Sequence, residues 1–477
     1  MKNVRTLAVV ALLTTGLLAV PHASAQTFPV LAIGTLDQSR AGSFQDVSGL
    51  TAPLENGVRG NELGGFGSAL TWASGDTFLA LPDRGPNAVE FDDAIDNTAS
   101  YINRFHTIEM RLDPSTSGTG LPFNLTPHLK ETTLLWSAAR LFYGTGDGLG
   151  VGSGVPPLNG YHRHYFTGRS DNFDPDHDSG DPYDARFDTE GLRVSNDGRS
   201  VFISDEYGPY VYQFDRRTGE RLRSYHLPDY FYVKNLSPVG ATEISGNTSG
   251  RTANKGMEGL AITPDGRTLV GIMQNALIQD ANQKGAAANL LRIAVIDIES
   301  GRLKHEFGYL LTTGTGVSEI LALNDHEFIV DERDGHGRAN ADSAKVKQLF
   351  KIDLDGATDI RDMDGTTAAA NTVSKTLFLD IVKSLTAVGV AAGNIPAKIE
   401  GITWGPDVWN GSTRLHTIWV SNDNDFLETV PDATGVQIPN PNQFFVFGFT
   451  DADLGGSKLV RQEFRDDRHD DRDHDRW

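Results

Sequence analysis

The stretch TEGLRVSNDGRSVFISDEYGPYVYQFD (residues 189–215) contains the strand pattern that decides the fold. Runs rich in Val, Ile, Phe and Tyr are separated by Asn-Asp-Gly and similar turn residues, which predicts short antiparallel strands. Glu190 stands at the start of the first strand, and Asp205 and Glu206 follow the second. These acids become informative because the pattern recurs along the chain.

The same signature appears in four other places. MEGLAITPDGR (257–267) and IEGITWGPD (399–407) are close copies, and SEILALNDHEFIV (318–330) is a weaker one. GFGSALTWASGDTFLAL (65–81) keeps the strand and the turn without the acid, and SGL (48–50) is interpreted as one more remnant. Each full copy continues into an apolar strand that ends in polar residues, and then into a further strand. The chain is therefore predicted to consist of repeated small sheets.

Repeated four-stranded sheets fit a β-propeller, because closure hides the edges of the sheets. We expect an all-β fold with a single propeller of six antiparallel blades, with five or seven blades as alternatives. The repeats are longer than the roughly 40 to 45 residues of a plain blade, which predicts long inserted loops. Residues 376–392 have a helical pattern and predict one short inserted helix. Residues 28–37 are expected to complete the last blade.

The N-terminal residues predict that the protein is exported. Lys2 and Arg5 precede an apolar run at 7–20 and an Ala-Ser-Ala site at 23–25, which is the pattern of a signal peptide. The predicted domains are a signal peptide at 1–25, a propeller at 26–455 and a disordered mixed-charge tail at 456–477. We expect a periplasmic or secreted monomer without a membrane span.

Composition excludes several classes of function. The net charge is −21, or −23 without Lys2 and Arg5, so the chain lacks the excess of basic residues that nucleic acid requires. No cysteine is present, which excludes disulfides, thiol nucleophiles and thiolate metal ligands. Many acidic loops suit hard cations such as calcium, although acids also simply keep exported proteins soluble.

In a propeller the innermost strand of each blade lines the central channel, so equivalent residues meet around one axis. The Glu at the start of each first strand predicts a ring of carboxylates, and the polar ends of the second strands predict a neighbouring group. Such carboxylates favour a cation or an arginine between them. The alternative is that each Glu caps backbone of the next blade or pairs with an arginine as a latch. The candidate metal ligands are Glu190, Glu258, Glu319, Glu400, Asp83 and Asp423.

Several motifs together resemble one family. They are GRSDNFDP (168–175), DARFDTEGLR (184–193), ISDEYGPYVYQFD (203–215), KGMEGLAITPDG (255–266) and KIEGITW (398–404). In combination they resemble the family called esterase-like activity of phytase, over roughly residues 30–450. That family is similar in architecture to the β-propeller phytases, which are calcium-dependent phosphohydrolases. The resemblance implies an exported propeller that hydrolyses phosphate esters or other esters.

The residues allow two hydrolase chemistries to be compared. A serine esterase is disfavoured because the chain has no G-x-S-x-G motif. A calcium-assisted phosphate-ester hydrolase needs acids for the cation, arginines for the phosphate, and an activated water. An acyl esterase and a non-catalytic binding or scaffold propeller stay open as alternatives. The catalytic candidates are Glu206, Glu332, Asp205 and Asp331, and the substrate-binding candidates are Arg84, Arg169, Arg333, His336 and Arg338.

Overall fold

The computed structural model describes residues 27–36, 44–87, 98–117, 120–144, 154–208 and 210–464. These residues form five four-stranded antiparallel sheets and two short two-stranded sheets. The expected signal peptide lies outside the described residues. Within the ranges above, no helix is long and apolar enough to cross a membrane.

The strands are short and are joined by loops of very different length. In chain order they are β1 (Val30–Leu36), β2 (Ala69–Ser74), β3 (Thr77–Leu81), β4 (Arg104–Pro114), β5 (Phe123–Leu134), β6 (Trp136–Ser137), β7 (His164–Tyr165), β8 (Thr189–Val194), β9 (Ser200–Asp205), β10 (Val211–Asp215), β11 (Arg221–Tyr225), β12 (Met257–Ile262), β13 (Thr268–Met273), β14 (Leu290–Asp297), β15 (Leu303–Leu310), β16 (Gly316–Ala322), β17 (Glu327–Arg333), β18 (Lys347–Asp353), β19 (Lys375–Asp380), β20 (Lys398–Asn410), β21 (Thr413–Asp423), β22 (Thr429–Pro431), β23 (Gln437–Pro439) and β24 (Asn442–Phe449). The α-helices are α1 (Gly240–Gly246), α2 (Ile278–Ala281), α3 (Gly365–Ala369) and α4 (Ile381–Ala387), with 3-10 turns at Asp229–Phe231, Gly285–Asn289, Ala392–Asn394 and Asp451–Leu454.

The five larger sheets are the blades of a propeller. Blade I is β2 to β5, blade II is β8 to β11, blade III is β12 to β15, and blade IV is β16 to β19. Blade V combines β20, β21, β24 and β1. The first strands of the blades contact one another in a closed ring, β2 with β8, β8 with β12, β12 with β16, β16 with β20, and β20 with β2. The predicted propeller is therefore confirmed.

The prediction of six blades is wrong, because the described residues contain five. Each of the five longer strand-turn-strand copies begins one blade. The sixth remnant, SGL at 48–50, lies in a loop that forms only isolated bridges, such as that between Gln45 and Glu62. A match of three residues without an apolar run behind it is too short to specify a strand.

The N-terminal strand closes the propeller. β1 pairs antiparallel with β24, so that Val30 faces Phe447 and Leu36 faces Asn442. Both ends of the chain thus contribute to blade V, and the expectation that residues 28–37 complete the last blade is confirmed over Val30–Leu36.

The hairpins within blades turn at the predicted Asp-Gly positions. Gly198 and Gly266 have φ angles of 73° and 72°, a conformation that strains any side chain. Their amides donate to the carbonyls of Ser195 and Thr263, each at 2.8 Å. These turns connect the innermost strand to the second strand of blades II and III.

The predicted helix at 376–392 is only partly correct. Residues 375–380 form β19, which pairs with β18 at the outer edge of blade IV. The helix α4 begins only after Asp380, whose carboxylate accepts a hydrogen bond from the amide of Lys383 at 3.0 Å. The apolar residues before Asp380 therefore complete a sheet, which sequence periodicity alone did not separate from the helix.

The chain after blade V crosses the end of the channel where the first strands finish. The amide of Val460 donates to the carbonyl of Leu323 at 2.9 Å, and the side-chain amide of Gln462 donates to the carbonyl of Val194 at 2.9 Å. The ring of Phe464 packs edge-on against Trp72. Residues 457–464 are thus part of the packed domain rather than of a disordered tail, and residues 465–477 lie outside the described residues.

Candidate functional site at the channel mouth

Strand register identifies the residues that surround the channel mouth. Thr189, Met257, Val317 and Ile399 each face a residue at the end of the second strand, and a β-bulge follows each of them. A bulge redirects the next side chain, and such irregularities are common beside functional sites. Of the residues at these bulges, Glu190, Glu258 and Glu400 line the mouth cavity, as Ser68 does in blade I. Ser318 is the equivalent residue in blade IV, and its hydroxyl accepts a hydrogen bond from Nε of Arg333.

The glycine after each ring glutamate is required by close packing of the first strands. A Cβ atom on Gly191 would lie 2.7 Å from the amide nitrogen of Leu260, and one on Gly259 would lie 2.6 Å from that of Ile320. The Glu-Gly-Leu repeat therefore combines a mouth-lining acid with a residue that lets adjacent blades meet.

Glu319 does not belong to the ring, which corrects the prediction. It occupies the position of Gly259, one residue beyond the ring position. Its Oε1 accepts hydrogen bonds from the amides of Leu260 and Ile320, both at 2.9 Å, and its Oε2 lies 3.0 Å from Nη2 of Arg193. Both side chains are buried, and Arg193 also donates to the carbonyls of Leu70 and Ile320, at 3.2 and 2.9 Å, so the ion pair acts as a structural latch between first strands.

A cavity of about 530 Å³ opens at the mouth. Eight of the predicted residues line it: Asp83, Arg84, Glu190, Glu206, Glu258, Arg333, Glu400 and Asp423. The charged residues that sequence reasoning missed are Arg186, Glu243, Arg251, Lys255 and Lys398. The cavity therefore has acids and bases in nearly equal number.

One acidic cluster lies at the start of blade II, and two of its members, Glu190 and Glu206, line the cavity. Carboxylate oxygens of Asp188, Glu190 and Glu206 all lie within 4.8 Å of one another, and the three side chains are buried. Burial, and then the neighbouring carboxylates, raise the pKa values of Glu190 and Glu206 well above their usual range. Nη1 of Arg84 lies 2.9 Å from Asp188 and 3.9 Å from Glu206. One guanidinium thus lies beside two of the three carboxylates.

A second acidic cluster already contains a cation. Oxygens of Asp83, Asp423 and Asp425 also lie within 4.8 Å of one another. Nζ of Lys398 donates to Asp423 at 2.8 Å and also to Asp425. Burial and the Asp423 carboxylate raise the pKa of Asp83, whereas for Asp423 burial is outweighed by Lys398, which lowers its pKa. The lysine ammonium therefore already offsets part of the negative charge of this cluster.

The ring acids on the opposite side share one arginine. Arg333 donates from Nη2 to Glu400 and from Nε to the Ser318 hydroxyl at 2.6 Å. Burial, and then the Glu400 carboxylate, raise the pKa of Glu258 to about 8. Oε2 of Glu258 is buried and has no hydrogen-bond partner among the described residues. Glu258 is therefore the ring carboxyl with spare hydrogen-bonding capacity.

A segment between blades II and III forms one wall of the cavity. Helix α1 carries Glu243, whose Oε1 accepts from Nη1 of Arg251 at 2.6 Å and whose Oε2 accepts from the amide of Ser237 at 3.1 Å. Nε of Arg251 donates to the carbonyl of Tyr207 at 2.8 Å. These contacts fix the inserted segment against the blade II loop that carries Glu206.

Three predicted catalytic residues do not line the cavity. Asp205 accepts hydrogen bonds from the amides of Asp188 and Tyr207 at 3.1 and 2.9 Å and shapes the loop beside the cluster; burial raises its pKa to about 7. Asp331 is fully buried, which raises its pKa well above the usual range, and faces Glu319 across the sheet. Both lie behind the mouth.

Glu332 points away from the mouth, into the outer part of blade IV. It accepts hydrogen bonds from Tyr309 at 2.5 Å, from the Thr313 hydroxyl at 2.6 Å and from the Gly314 amide at 3.2 Å, and it pairs with Lys375. All these groups come from its own blade or the adjacent blade III. Glu332 is thus a latch between strands and loops.

Three predicted substrate-binding residues also lie elsewhere. Arg169 is buried and pairs with Asp171 and Glu55. His336 is partly exposed and pairs with Asp342. Arg338 donates to the side-chain carbonyls of Asn440 at 3.2 Å and Gln443 at 2.7 Å. These contacts hold loops together, and none of the three side chains reaches the described mouth cavity.

A signal for the missed bases was present in the sequence. A basic residue precedes each Glu-Gly copy by two to four positions: Arg186 in DARFDTEG, Lys255 in KGMEG, and Lys398 in KIEG. All three line the cavity. The acid Asp188 lies between Arg186 and Glu190, two residues before Glu190.

The family of the chain follows from comparison with known proteins. The model of the Phytase-like family, described as esterase-like activity of phytase, matches residues 61–426. The chain belongs to this family. This confirms the resemblance of the motifs, and the match includes all the first strands and the mouth segment.

Two kinds of relative were found. An uncharacterized secreted protein of Arthroderma benhamiae is 32% identical over an alignment of 182 positions, which covers 32% of this chain and 35% of that protein. The chain therefore spans about a third of the length of that curated relative. The Cps50 (Swd1) β-propeller domain of Myceliophteria thermophila has 10% identity and a TM-score of 0.22, over 49% of this chain and 51% of that chain. Kluyveromyces lactis Hsv2 has 9% identity and a TM-score of 0.24, over 65% and 60%.

Proposed function

We propose that this protein is an exported hydrolase of the Phytase-like family that cleaves phosphate esters at the propeller mouth with the help of a bound divalent cation. The observation that carries the proposal is the buried cluster of Asp188, Glu190 and Glu206, of which Glu190 and Glu206 line a cavity of about 530 Å³. Three buried carboxylates with one partly shared arginine retain excess negative charge, which a cation or protons must offset.

The cluster fits a hard cation such as calcium. Its donors are carboxylate oxygens, which calcium prefers, and backbone carbonyls or water can complete the six to eight ligands. The cluster of Asp83, Asp423 and Asp425 fits less well, because Lys398 already lies within it. When bound, the cation supplies positive charge for phosphate oxygens and lowers the pKa of water.

The residues of the chain have separate roles in this proposal. Asp188, Glu190 and Glu206 hold the cation, and Arg84 limits the repulsion between them. Glu258, which has a pKa of about 8 and an Oε2 without a hydrogen-bond partner among the described residues, lines the cavity and is able to donate or accept a proton near neutral pH. Ser204, which lies beside this group, has a structural role, because its hydroxyl accepts a hydrogen bond from the Gly191 amide at 2.6 Å.

The second candidate function is a non-catalytic binding propeller. The observation in its favour is that several mouth bases already pair with acids, as Arg333 does with Glu400 and Lys398 with Asp423. Such pairs can close a channel without any ligand. A divalent cation that binds without any turnover would support this candidate.

The decisive experiment measures phosphate release from a simple phosphate monoester and from phytate, with calcium and with a chelator, beside an acyl-ester control. Glu206→Gln and Asp188→Asn should abolish calcium-dependent release and weaken calcium binding measured by calorimetry. The matched control is Glu299→Gln, because Glu299 is an exposed acid outside the mouth. Equal phosphate release from Glu206→Gln and the parent would exclude the proposed cation site, and turnover of the acyl ester alone would exclude the phosphate-ester function.

A further inference from the structure

The cations of the mouth differ in whether an acid already neutralises them. Nη1 of Arg84 lies 2.9 Å from Asp188, and Nζ of Lys398 lies 2.8 Å from Asp423. Arg333 pairs with Glu400. These bases cannot offer their full charge to a ligand without breaking an existing ion pair. Two other bases that line the cavity, Arg186 and Lys255, have no acid at hydrogen-bond distance in the described residues.

Arg186 is held rigidly but incompletely satisfied. Its guanidinium lies between the rings of Phe173 and Tyr207, at 4.8 and 4.7 Å from their centroids, and Nη1 donates to the carbonyl of Ser170 at 3.0 Å. The side chain is only 3% exposed and lines the cavity. Nη2 has no hydrogen-bond partner among the described residues. A buried charged donor without an acceptor is costly, which points to an external acceptor.

The carboxylate nearest to Arg186 is already engaged. Oε2 of Glu243 lies 3.9 Å from Nη2, which is too far for a hydrogen bond. Both oxygens of Glu243 accept shorter bonds, from Arg251 at 2.6 Å and from the Ser237 amide at 3.1 Å. The wall therefore presents two guanidinium groups to one carboxylate.

Lys255 adds a second uncommitted cation to the same wall. It lies on the inserted segment, is half-buried, and lines the cavity three residues before Glu258. Its ammonium has no ion-pair or hydrogen-bond partner in the part of the chain that the structure describes. Two cations without an acid at hydrogen-bond distance in the described residues thus line a cavity that also contains ring carboxylates.

We propose that Arg186 and Lys255 bind one phosphate group, so that the substrate is an ester with a single phosphate rather than an inositol polyphosphate. A phosphate monoester carries a charge of about −1.5 to −2 at pH 7, which two free cations match. Further phosphates would meet paired bases and the carboxylates of the floor. Arginine supplies directed hydrogen bonds to the phosphate oxygens, and lysine supplies a mobile point charge.

The single-phosphate substrate rests on the proposed hydrolase function, whereas the phosphate-binding site does not. Binding is therefore measured without turnover. Inorganic phosphate, a non-hydrolysable phosphonate monoester, phytate and acetate are titrated by calorimetry into the full mature chain with a chelator present. The chelator removes any contribution of a divalent cation.

The variants are Arg186→Gln, Arg186→Lys and Lys255→Gln, with Lys234→Gln as the matched control. Lys234 is an exposed lysine of the same inserted segment that does not line the cavity. Loss of one charge-assisted hydrogen bond should weaken phosphate and phosphonate binding by about tenfold or more. Arg186→Lys keeps the positive charge, so it can still test the site if Arg186→Gln does not fold. Thermal unfolding of each variant shows whether it is folded.

The expected result is phosphate binding by the parent and by Lys234→Gln, with a loss of tenfold or more in Lys255→Gln and in a folded Arg186 variant. Absence of phosphate binding to the parent, or equal binding in all variants, would overturn the site. Phytate binding that is tenfold tighter than phosphonate binding would overturn the single-phosphate substrate. Phosphate binding as expected, with no ester hydrolysed by the parent, supports the site and removes only the proposed hydrolase function.

Discussion

Replacing Glu332 by Gln separates a structural role from a catalytic one. Strand periodicity made Glu332 and Glu206 look equivalent, because each follows an apolar second strand. The structure places Glu206 in the mouth cavity and Glu332 in a network with Lys375, Tyr309 and Thr313. We expect Glu332→Gln to lower stability and to leave the turnover per folded molecule within about twofold of the parent value.

The magnitude follows from the burial of the pair. Glu332 is fully buried and Lys375 is 13% exposed. Removing one partner of a buried ion pair costs about 3–5 kcal/mol, since the other charge is left without compensation. Water can reach Lys375, which favours the lower end, about 3 kcal/mol. The amide nitrogen of Gln would also face hydrogen-bond donors, so the loss should not be smaller.

Urea unfolding at pH 7 measures this loss, together with the activity of the folded fraction. Lys375→Met alone and the double variant with Glu332→Gln complete a mutant cycle, and the two changes should be clearly non-additive. A Glu332→Gln protein of normal stability, or a folded variant without activity beside an active parent, would refute the latch. The stability part of the test holds even if the parent hydrolyses no ester.

Three further predictions concern residues away from the mouth: two buried groups and the C-terminal segment. Burial lowers the pKa of His106 from 6.5 to about 4, so the fold keeps this side chain neutral while the unfolded chain takes up a proton below pH 6.5. Stability should therefore fall by up to ~3 kcal/mol as the pH drops from 6.5 toward 4. His106→Gln should flatten this part of a pH series of urea midpoints, and an unchanged slope would contradict the assignment. Glu319→Ala should cost about 3–5 kcal/mol, because Arg193 is then buried without its partner. The double variant with Arg193→Met should regain part of that loss in thermal unfolding, and equal losses would rule out the ion-pair explanation. Deleting residues 457–477 should lower the midpoint of thermal unfolding, because residues 457–464 contact first strands of the propeller. The control is deletion of residues 465–477 only. Equal midpoints for the two truncated proteins would show that the contacts of residues 457–464 do not contribute to stability.

Local patterns predicted most of the fold. The five longer repeats correspond one to one with blades, and the Asp-Gly turns fall where their hydrogen bonds require them. The blade count failed at SGL (48–50), where three matching letters were given the weight of a strand. The helix prediction at 376–392 failed because apolar residues of an edge strand and of a following helix form one continuous run.

The site was harder to predict because one residue of register changes the direction of a side chain. The letters SEIL and MEGL align Glu319 with Glu258, but pairing with the second strand aligns Ser318 with Glu258 instead. The absent glycine was the available clue. Where a glycine normally lets two first strands meet, Glu319 must extend into the channel, and it finds Arg193 there.

Arg186 and Lys255, rather than the ring of carboxylates, are the stronger argument for a ligand. Ring acids with Arg333 and a latch at Glu319 would be sufficient to close a five-bladed channel, and so they are compatible with a scaffold. Arg186 and Lys255 do not help to close the channel in this way, because neither forms an ion pair at hydrogen-bond distance among the described residues. Holding two cations beside a cavity without an acid at hydrogen-bond distance is unfavourable unless an anion binds there. Stability alone is sufficient to explain the ring, and Arg186 and Lys255 are where we expect binding.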